Sequence, residues 1–355
     1  MVDYIIVGAG LAGIAFAETA LLHSKTIVVI NDVSQNSSRV AAGLYNPVIL
    51  KRFTEVWQAK EQIELLHNFY AQLEAKLQVK LDHQIPLLRK FYSIEEQNNW
   101  FTTSDKPNLT PFLSANLITK KYEAIDSPLG YGEVLYSGFV DTALLLESYH
   151  AYLNTINALS DTTFDYHQLQ FHEDGVQYKE FKAKQIVFAE GYGMLLNPFF
   201  SILPLDGAKG ELLLIKAPNL QLDAIVKTGI FVIPVGNDLY KVGATYNWED
   251  KTNIPTQAAK EELVTDLKAL IQCDFEVIEH WAGIRPTVKD RRPMLGTHTI
   301  HKNLHLLNGL GTRGVMLAPA MAKMLYEAIE FGTELDPSVD IKRFKNFASS
   351  FYQNE

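Results

Sequence analysis

The sequence predicts a mixed α/β fold, in which a Rossmann-like dinucleotide-binding domain on a parallel sheet is interleaved with an antiparallel-sheet domain. Three observations carry this. The chain opens as strand, glycine-rich turn, helix and strand, one parallel βαβ unit. Its middle is rich in strand patterns, and its end returns to strand, glycine-rich turn and helix. Its 355 residues exceed what one hydrophobic core ordinarily spans, so two domains are expected.

In order, residues 4–7 form a short apolar run, followed by Gly8-Ala9-Gly10-Leu11-Ala12-Gly13, an Ala-rich helix and a second strand at 26–30. Residues 5–22 are apolar except for Glu18, but the glycines within and the lack of a preceding basic segment favour a buried strand and helix over a membrane span. A polar, small-residue loop covers 34–43. A helical pattern at 54–80 carries Trp57, Ile63, Leu66, Tyr70, Leu73 and Leu77 on one face. Residues 85–125 show no sustained period. A helix is expected at 141–153, capped by Asp141. Strands follow at Gly175–Tyr178 and 185–189, several more between 212 and 245, then a helix at 257–271 and a strand at 275–280. A strand at Leu304–Asn308 leads through a glycine-rich turn into a helix expected at 319–331.

Asp and Glu number 41 against 32 Lys and Arg, giving a net charge of -9 that disfavours general binding to a nucleic-acid backbone. Lys51-Arg52 and Lys289 with Arg291-Arg292 are the candidates for a local basic rim. The single cysteine, Cys273, excludes a disulfide framework and a cysteine-based metal site, and suggests a reducing, cytoplasmic compartment. His298, His301 and His305 lie in a turn and strand without a carboxylate at ligand spacing, so no metal is expected.

Gly8, Gly10 and Gly13 fit G-x-G-x-x-G between a strand and a helix. The first permits the turn, the second lets the backbone approach a pyrophosphate, and the third lets helix and strand pack closely. Leu11 and Ala12 open the helix, whose free N–H groups suit phosphate. Asn31 and Asp32 both stand where a ribose-binding residue belongs. Two distant segments, Ser37-Ser38 with Ala41-Ala42-Gly43 and Asn308-Gly309-Leu310-Gly311-Thr312-Arg313-Gly314, favour a wrapped FAD over an exchangeable nicotinamide. Ala318-Pro319 then marks the expected start of a helix aimed at the flavin ring.

Together with Ala189-Glu190-Gly191 and Gly283-Ile284-Arg285-Pro286, these segments follow the order of the D-amino-acid-oxidase-like FAD family, which includes glycine and sarcosine oxidases. The run from Gly283 through Asp290-Arg291-Arg292-Pro293-Met294-Leu295-Gly296 to Pro319 is especially similar to the oxidase domain of the bifunctional tRNA 5-methylaminomethyl-2-thiouridine biosynthesis enzyme, whose methyltransferase half has no counterpart in these residues. The resemblance implies an FAD domain of 1–80, 128–203 and 283–355, and a substrate domain of 81–127 and 204–282. It implies contacts to FAD from Gly8, Gly10, Leu11, Ala12, Gly13, Asn31, Asp32, Ser37, Ser38, Ala42, Gly43, Ala189, Gly191, Gly309, Gly311, Thr312, Arg313 and Gly314.

Arg285 would fix a substrate carboxylate with its planar fork, unless it pairs with Asp290. Arg313 would lie near the flavin or a second acidic group. Lys241 resembles an oxygen-activating lysine of sarcosine oxidase, and Tyr246 would lie near the flavin ring, while Phe231 reads as core. The implied reaction is oxidation of the C–N bond of a small amine, an amino acid or an N-substituted glycine, with O2 giving hydrogen peroxide. The carboxymethylaminomethyl group of a tRNA wobble uridine is an alternative substrate that the net charge disfavours. A flavin binder that only transfers electrons, or catalyses nothing, is the alternative of a different class. No membrane partner is expected.

Overall fold

The computed structural model describes residues 1–344; residues 345–355, placed above in the last cofactor segment, lie outside the described residues. β1 (Val2–Val7), α1 (Leu11–Leu22) and β2 (Ile27–Asn31) form the opening unit. β1 lies between β2 and Phe181–Phe188, parallel to both. Leu159–Asp161 extends the sheet beyond β2, and Leu304–Asn308 pairs with Phe181–Phe188, again in parallel. Antiparallel strands Gly175–Tyr178, Leu169–His172 and Met294–Thr297 complete the eight. Five parallel strands therefore end at one edge, and the segments after Val7, Asn31, Phe188 and Asn308 meet there.

Tyr4, Ile5 and Ile6 are fully buried, because helices cover one face and an aromatic cluster around Phe164, Phe188 and Phe200 the other. Glu18 shows how α1 tolerates a carboxylate in its apolar run. It is buried, but Lys76 Nζ lies 2.5 and 2.6 Å from its two oxygens and the Tyr149 hydroxyl donates at 3.0 Å. Among the described residues, no helix is long and apolar enough to cross a membrane.

The second sheet has seven strands in the order Glu276–Val288, Leu205–Lys216, Leu239–Gly243, Phe231–Gly236, Ile225–Lys227, Leu87–Lys90 and Tyr131–Val134. It is antiparallel apart from the Ile225–Lys227 and Leu87–Lys90 pair, which runs parallel. Helix Gln257–Leu270 covers one face with Leu263, Leu267 and Leu270. Glu276–Val288 runs as one strand through residue 283, and Tyr131–Val134 belongs to this sheet.

Three elements differ from expectation. The helix expected at 54–80 starts at Ala59, because Thr54–Glu55 pairs with Val48–Ile49 in a small ladder. Within 85–125, Ile94–Ser104 forms a helix capped by Ser93, whose Oγ accepts from Glu96 N at 3.1 Å. The last helix begins at Gly314, so Pro319 sits inside it. Proline lacks the N–H that would reach the Val315 carbonyl one turn back. The buried Tyr70 hydroxyl donates to that carbonyl at 3.0 Å instead.

Candidate cofactor and active site

The parallel edge gathers the glycine motif. Gly8 has φ +99°, and a Cβ there would meet the Ala189 carbonyl oxygen at 2.5 Å. A Cβ at Gly13 would lie 1.8 Å from the Gly8 carbonyl oxygen, so the helix can approach the turn only without a side chain. Asn31 Oδ1 accepts from Ala9 N at 3.0 Å and thus braces the turn. Asp32 instead accepts from Ser34 N at 3.0 Å within its own loop. Ser38 Oγ accepts the Leu11 N–H at 3.1 Å, and no helix-internal partner exists for the N–H groups of Ala12 and Gly13.

The 34–43 loop crosses to the second sheet. A Cβ at Gly283 would meet Val40 Cγ2 at 2.7 Å and Ser37 Cα at 3.1 Å, while Asn36 Nδ2 donates to Ala282 O at 3.2 Å. Asn36 Oδ1 is buried and has no partner among the described residues. Ala42 is buried, and Gly43, at φ +75°, packs on Val140, where a Cβ would come within 1.8 Å of the carbonyl oxygen. These two positions serve packing in this structure rather than an open face.

Three residues at this edge were missed by the sequence reading. Glu190, between Ala189 and Gly191, accepts from the Tyr166 hydroxyl and from Asn197 Nδ2 at 2.7 Å, and burial pushes its carboxyl up to about 7. Asn308 Nδ2 donates to Gly191 O at 2.9 Å and ties the last turn to the segment that follows Phe181–Phe188. His150 Nε2 lies 2.9 Å from the Ala9 carbonyl oxygen. Glu190 and Asn308 offered a signal only by their places beside the glycine segments, and His150, inside the helix Thr142–Thr155, offered none.

On the other side, the Gly311–Arg313 turn packs on Glu276–Val288. A Cβ at Gly311, at φ +57°, would lie 3.8 Å from Thr287 Cγ2 and 3.9 Å from Pro286 O. Thr312 is exposed, whereas Gly309, at φ +73°, is buried against Val288. Gly314 starts the last helix, five residues before the expected Pro319, so its first turn faces this seam.

Arg285 points over Gly210 of the neighbouring strand, so closely that a Cβ at Gly210 would fall 1.9 Å from Nη2. The Tyr246 ring covers it, with its centroid 4.5 Å from Cζ, and Nη1 donates to Thr245 O at 3.3 Å. Asp290 does not pair with it; that carboxylate lies 2.9 Å from Arg343 Nε. No carboxylate pairs with Arg285 among the described residues, and burial lowers its pKa.

Lys241 lies between Leu214 and Ile233 in the sheet. It is half-buried, and desolvation depresses its pKa against a modest opposing pull from Asp141. Phe231 pairs with Gly243 and packs against the core.

The loop carrying Tyr246 is anchored by Lys209, which is fully buried. Its Nζ reaches Asp250 at 2.5 Å and the Ile254 carbonyl oxygen at 2.5 Å. The histidines considered above are structural: His298 Nδ1 accepts from His301 N at 3.0 Å, and His305 lies between Thr297 Oγ1 and Gln185 Oε1. No group of three or more His, Cys, Asp and Glu placed to hold a metal occurs among the described residues.

The glycine cradle, the unsatisfied helix N-terminus and the orphaned Asn36 oxygen fit a dinucleotide laid across the parallel edge. Fold and site together define a dinucleotide-dependent oxidoreductase with a second, largely antiparallel sheet. The family model described as DAO, FAD dependent oxidoreductase, matches residues 3–328, and the chain belongs to that family. It is thus an FAD-dependent enzyme. It is 24% identical to the glycine oxidase of Pseudomonas putida over 95% of this chain and 96% of that protein. It is 22% identical to the tRNA 5-methylaminomethyl-2-thiouridine biosynthesis bifunctional protein of Marinobacter nauticus, over 92% of this chain and 55% of that protein. The crystal structure of glycine oxidase from Geobacillus kaustophilus superposes with a TM-score of 0.75, at 19% identity, covering 95% of this chain and 97% of that one.

Proposed function

We propose that this enzyme oxidises the C–N bond of an amino acid or N-substituted glycine. One observation supports this above the others: a half-buried guanidinium, Arg285, is stacked and oriented but lacks a carboxylate partner among the described residues. An unpaired buried charge is costly, and a substrate carboxylate is the anion that its planar fork suits. When bound, FAD would supply a two-electron acceptor for oxidation of the C–N bond, with O2 as the final oxidant giving hydrogen peroxide.

In this proposal the first sheet carries the cofactor and the second the substrate. The helix N-terminus at Leu11, with Gly8, Gly10 and Gly13, holds the pyrophosphate. Asn31 shapes that turn and Asp32 is left for the ribose. Arg285 aims the substrate, so orientation supplies much of the rate. Tyr246 closes one face of the guanidinium. Lys241 contributes a cation that stabilises negative charge developing on oxygen. The amine binds deprotonated, so no dedicated general base is needed, and water hydrolyses the released imine.

A second reading concerns size. Tyr246 is 59% and Trp248 54% exposed, leaving the Arg285 side open to a larger N-substituted glycine such as the carboxymethylaminomethyl group of a wobble uridine.

The test is the visible spectrum of the purified protein, followed anaerobically as sarcosine, glycine and modified tRNA are added. Bleaching of the flavin band, followed by peroxide on admitting air, is the expected result. Bleaching without peroxide makes the protein a dehydrogenase or electron carrier. A flavin band unchanged by all three overturns the substrate reading.

A further inference from the structure

We propose that Lys209 and Asp250 are positioning residues for substrate binding, a charged pair that holds Tyr246 against Arg285 from the reverse face of the sheet. The proposal rests on Arg285 as the carboxylate anchor and names what keeps that anchor in place.

Tyr246 is 59% exposed, so packing does little to fix its ring over Arg285. Its backbone is fixed instead. Thr245 Oγ1 accepts from Glu211 N at 3.0 Å, and Asn247 exchanges two backbone bonds with Lys209 at 2.8 and 2.9 Å. This antiparallel bridge sets Tyr246 opposite Gly210, the residue beneath the guanidinium.

Side chains alternate along a strand, so Lys209 and Glu211 project from the other face. There the loop comes back. Asn247 Oδ1 accepts from Glu249 N at 2.8 Å and Asp250 N at 2.9 Å, which turns the chain. Lys209 Nζ then meets Asp250 Oδ2 at 2.5 Å, the Ile254 carbonyl oxygen at 2.5 Å and Thr252 Oγ1 at 3.4 Å. Glu211 Oε1 stands 3.5 Å from the same ammonium, and His280 Nε2 lies 2.9 Å from Oε2. Thr256 completes the wrap, donating to the two Glu211 oxygens at 2.7 and 2.9 Å. Residues 245–256 are thus wound round the two residues that flank Gly210.

Stability does not explain the pair. Lys209 is fully buried, and replacing a buried ion pair by apolar side chains is often neutral or stabilising. What the pair adds is geometry: one ammonium ties three points of the loop, and the loop places one ring. Bonds from Lys209 and Thr252 hold the Asp250 carboxyl down to about 2, so it stays charged at neutral pH.

The test follows anaerobic reduction of the flavin-loaded enzyme by the carboxylate substrate that bleaches it, which gives a dissociation constant and a limiting rate separately. Asp250→Asn keeps an oxygen for Thr252 but sets an amide NH2 against the ammonium. It is expected to raise the dissociation constant about tenfold, the scale of a cation held over an aromatic ring. The limiting rate should stay within about threefold, small beside that step. Lys209→Met should act alike from the other end, and serves should Asp250→Asn not fold. Tyr246→Ala should raise the constant as well. Adding Asp250→Asn to Tyr246→Ala should then change it by less than about twofold, because the pair acts through that ring.

An equal rise in both backgrounds would overturn the proposal, since a general structural loss does not depend on the ring. So would Asp250→Asn and Lys209→Met proteins that bind substrate normally while Tyr246→Ala does not; that result sinks this proposal alone. If Tyr246→Ala and Arg285→Lys both leave the constant unchanged, the carboxylate reading falls and this proposal with it.

Discussion

Gly210 is where a single methyl group should separate catalysis from folding. It lies on the strand paired with Arg285, two residues beyond the direct partner Ala208, and on the same face. A Cβ there would fall 1.9 Å from Nη2, 2.1 Å from Cζ and 2.2 Å from Nη1. Ordinary carbon contacts begin near ~3.5 Å, so the guanidinium would have to move by roughly 1.5 Å. The clash is with the end of a flexible side chain, so the backbone can stay in place. Replacing glycine by alanine in a strand is even favourable, by about 0.5–1 kcal/mol. A displacement of about 1 Å in a positioning group costs around a hundredfold in rate. Gly210→Ala is therefore expected to lower kcat/KM for an amino-acid substrate by about two orders of magnitude, or ~2.7 kcal/mol. Its flavin spectrum and melting temperature should hold. Steady-state peroxide production and thermal unfolding measure both sides. A kcat/KM within about threefold of the unmodified enzyme, small beside that expected loss, would refute the placement of Arg285 as the carboxylate anchor.

Two further outcomes follow from the parallel edge. Gly13→Ala brings a Cβ to 1.8 Å from the Gly8 carbonyl oxygen, backbone against backbone, with no flexible group to yield. It should cost at least ~1–3 kcal/mol in urea unfolding and lower the flavin-to-protein absorbance ratio; retention of both would place the cofactor elsewhere. Glu190 tests pH linkage. Its folded pKa is raised to about 7, against an unfolded value near ~4.3, so the folded state holds the extra proton between them. The stability it contributes is complete below the unfolded value and is lost as pH rises through 7. Glu190→Gln of the apoprotein should gain on the original protein between pH ~5 and ~8.5, by up to ~3 kcal/mol in urea unfolding. A difference independent of pH would show that burial does not hold the proton.

Much of the cofactor side was legible because backbone constraints leave marks in sequence. A strand buried on both faces reads as an apolar run, and a turn needing φ above zero or close approach demands glycine. β1, β2 and Leu304–Asn308 are such cases, and so are Gly8, Gly13 and Gly309. Ile94–Ser104 was hidden because its polar sequence buries little besides Trp100; the Ser93 cap with Glu96 was its only local sign. Pro319 masked the true start of the last helix because a tertiary contact, Tyr70 to Val315, compensates for the missing donor. The substrate side was less legible. Arg285 was a candidate from its motif, but its stacking on Tyr246, its bed on Gly210 and the diversion of Asp290 to Arg343 are relations between distant residues. Glu190 and Asn308 are single polar residues whose importance is set by what folds around them.

The same Tyr70 contact makes two positions far apart in sequence evolve as one. While proline stands at 319, the Val315 carbonyl depends on a hydroxyl borrowed from another helix, so phenylalanine at 70 is penalised. Once residue 319 regains an N–H, that penalty disappears and phenylalanine becomes nearly free. The acceptable order of change is fixed: proline must go first. The first turn of the helix, which begins at Arg313 and Gly314, thus carries an epistatic lock set by a residue on another helix.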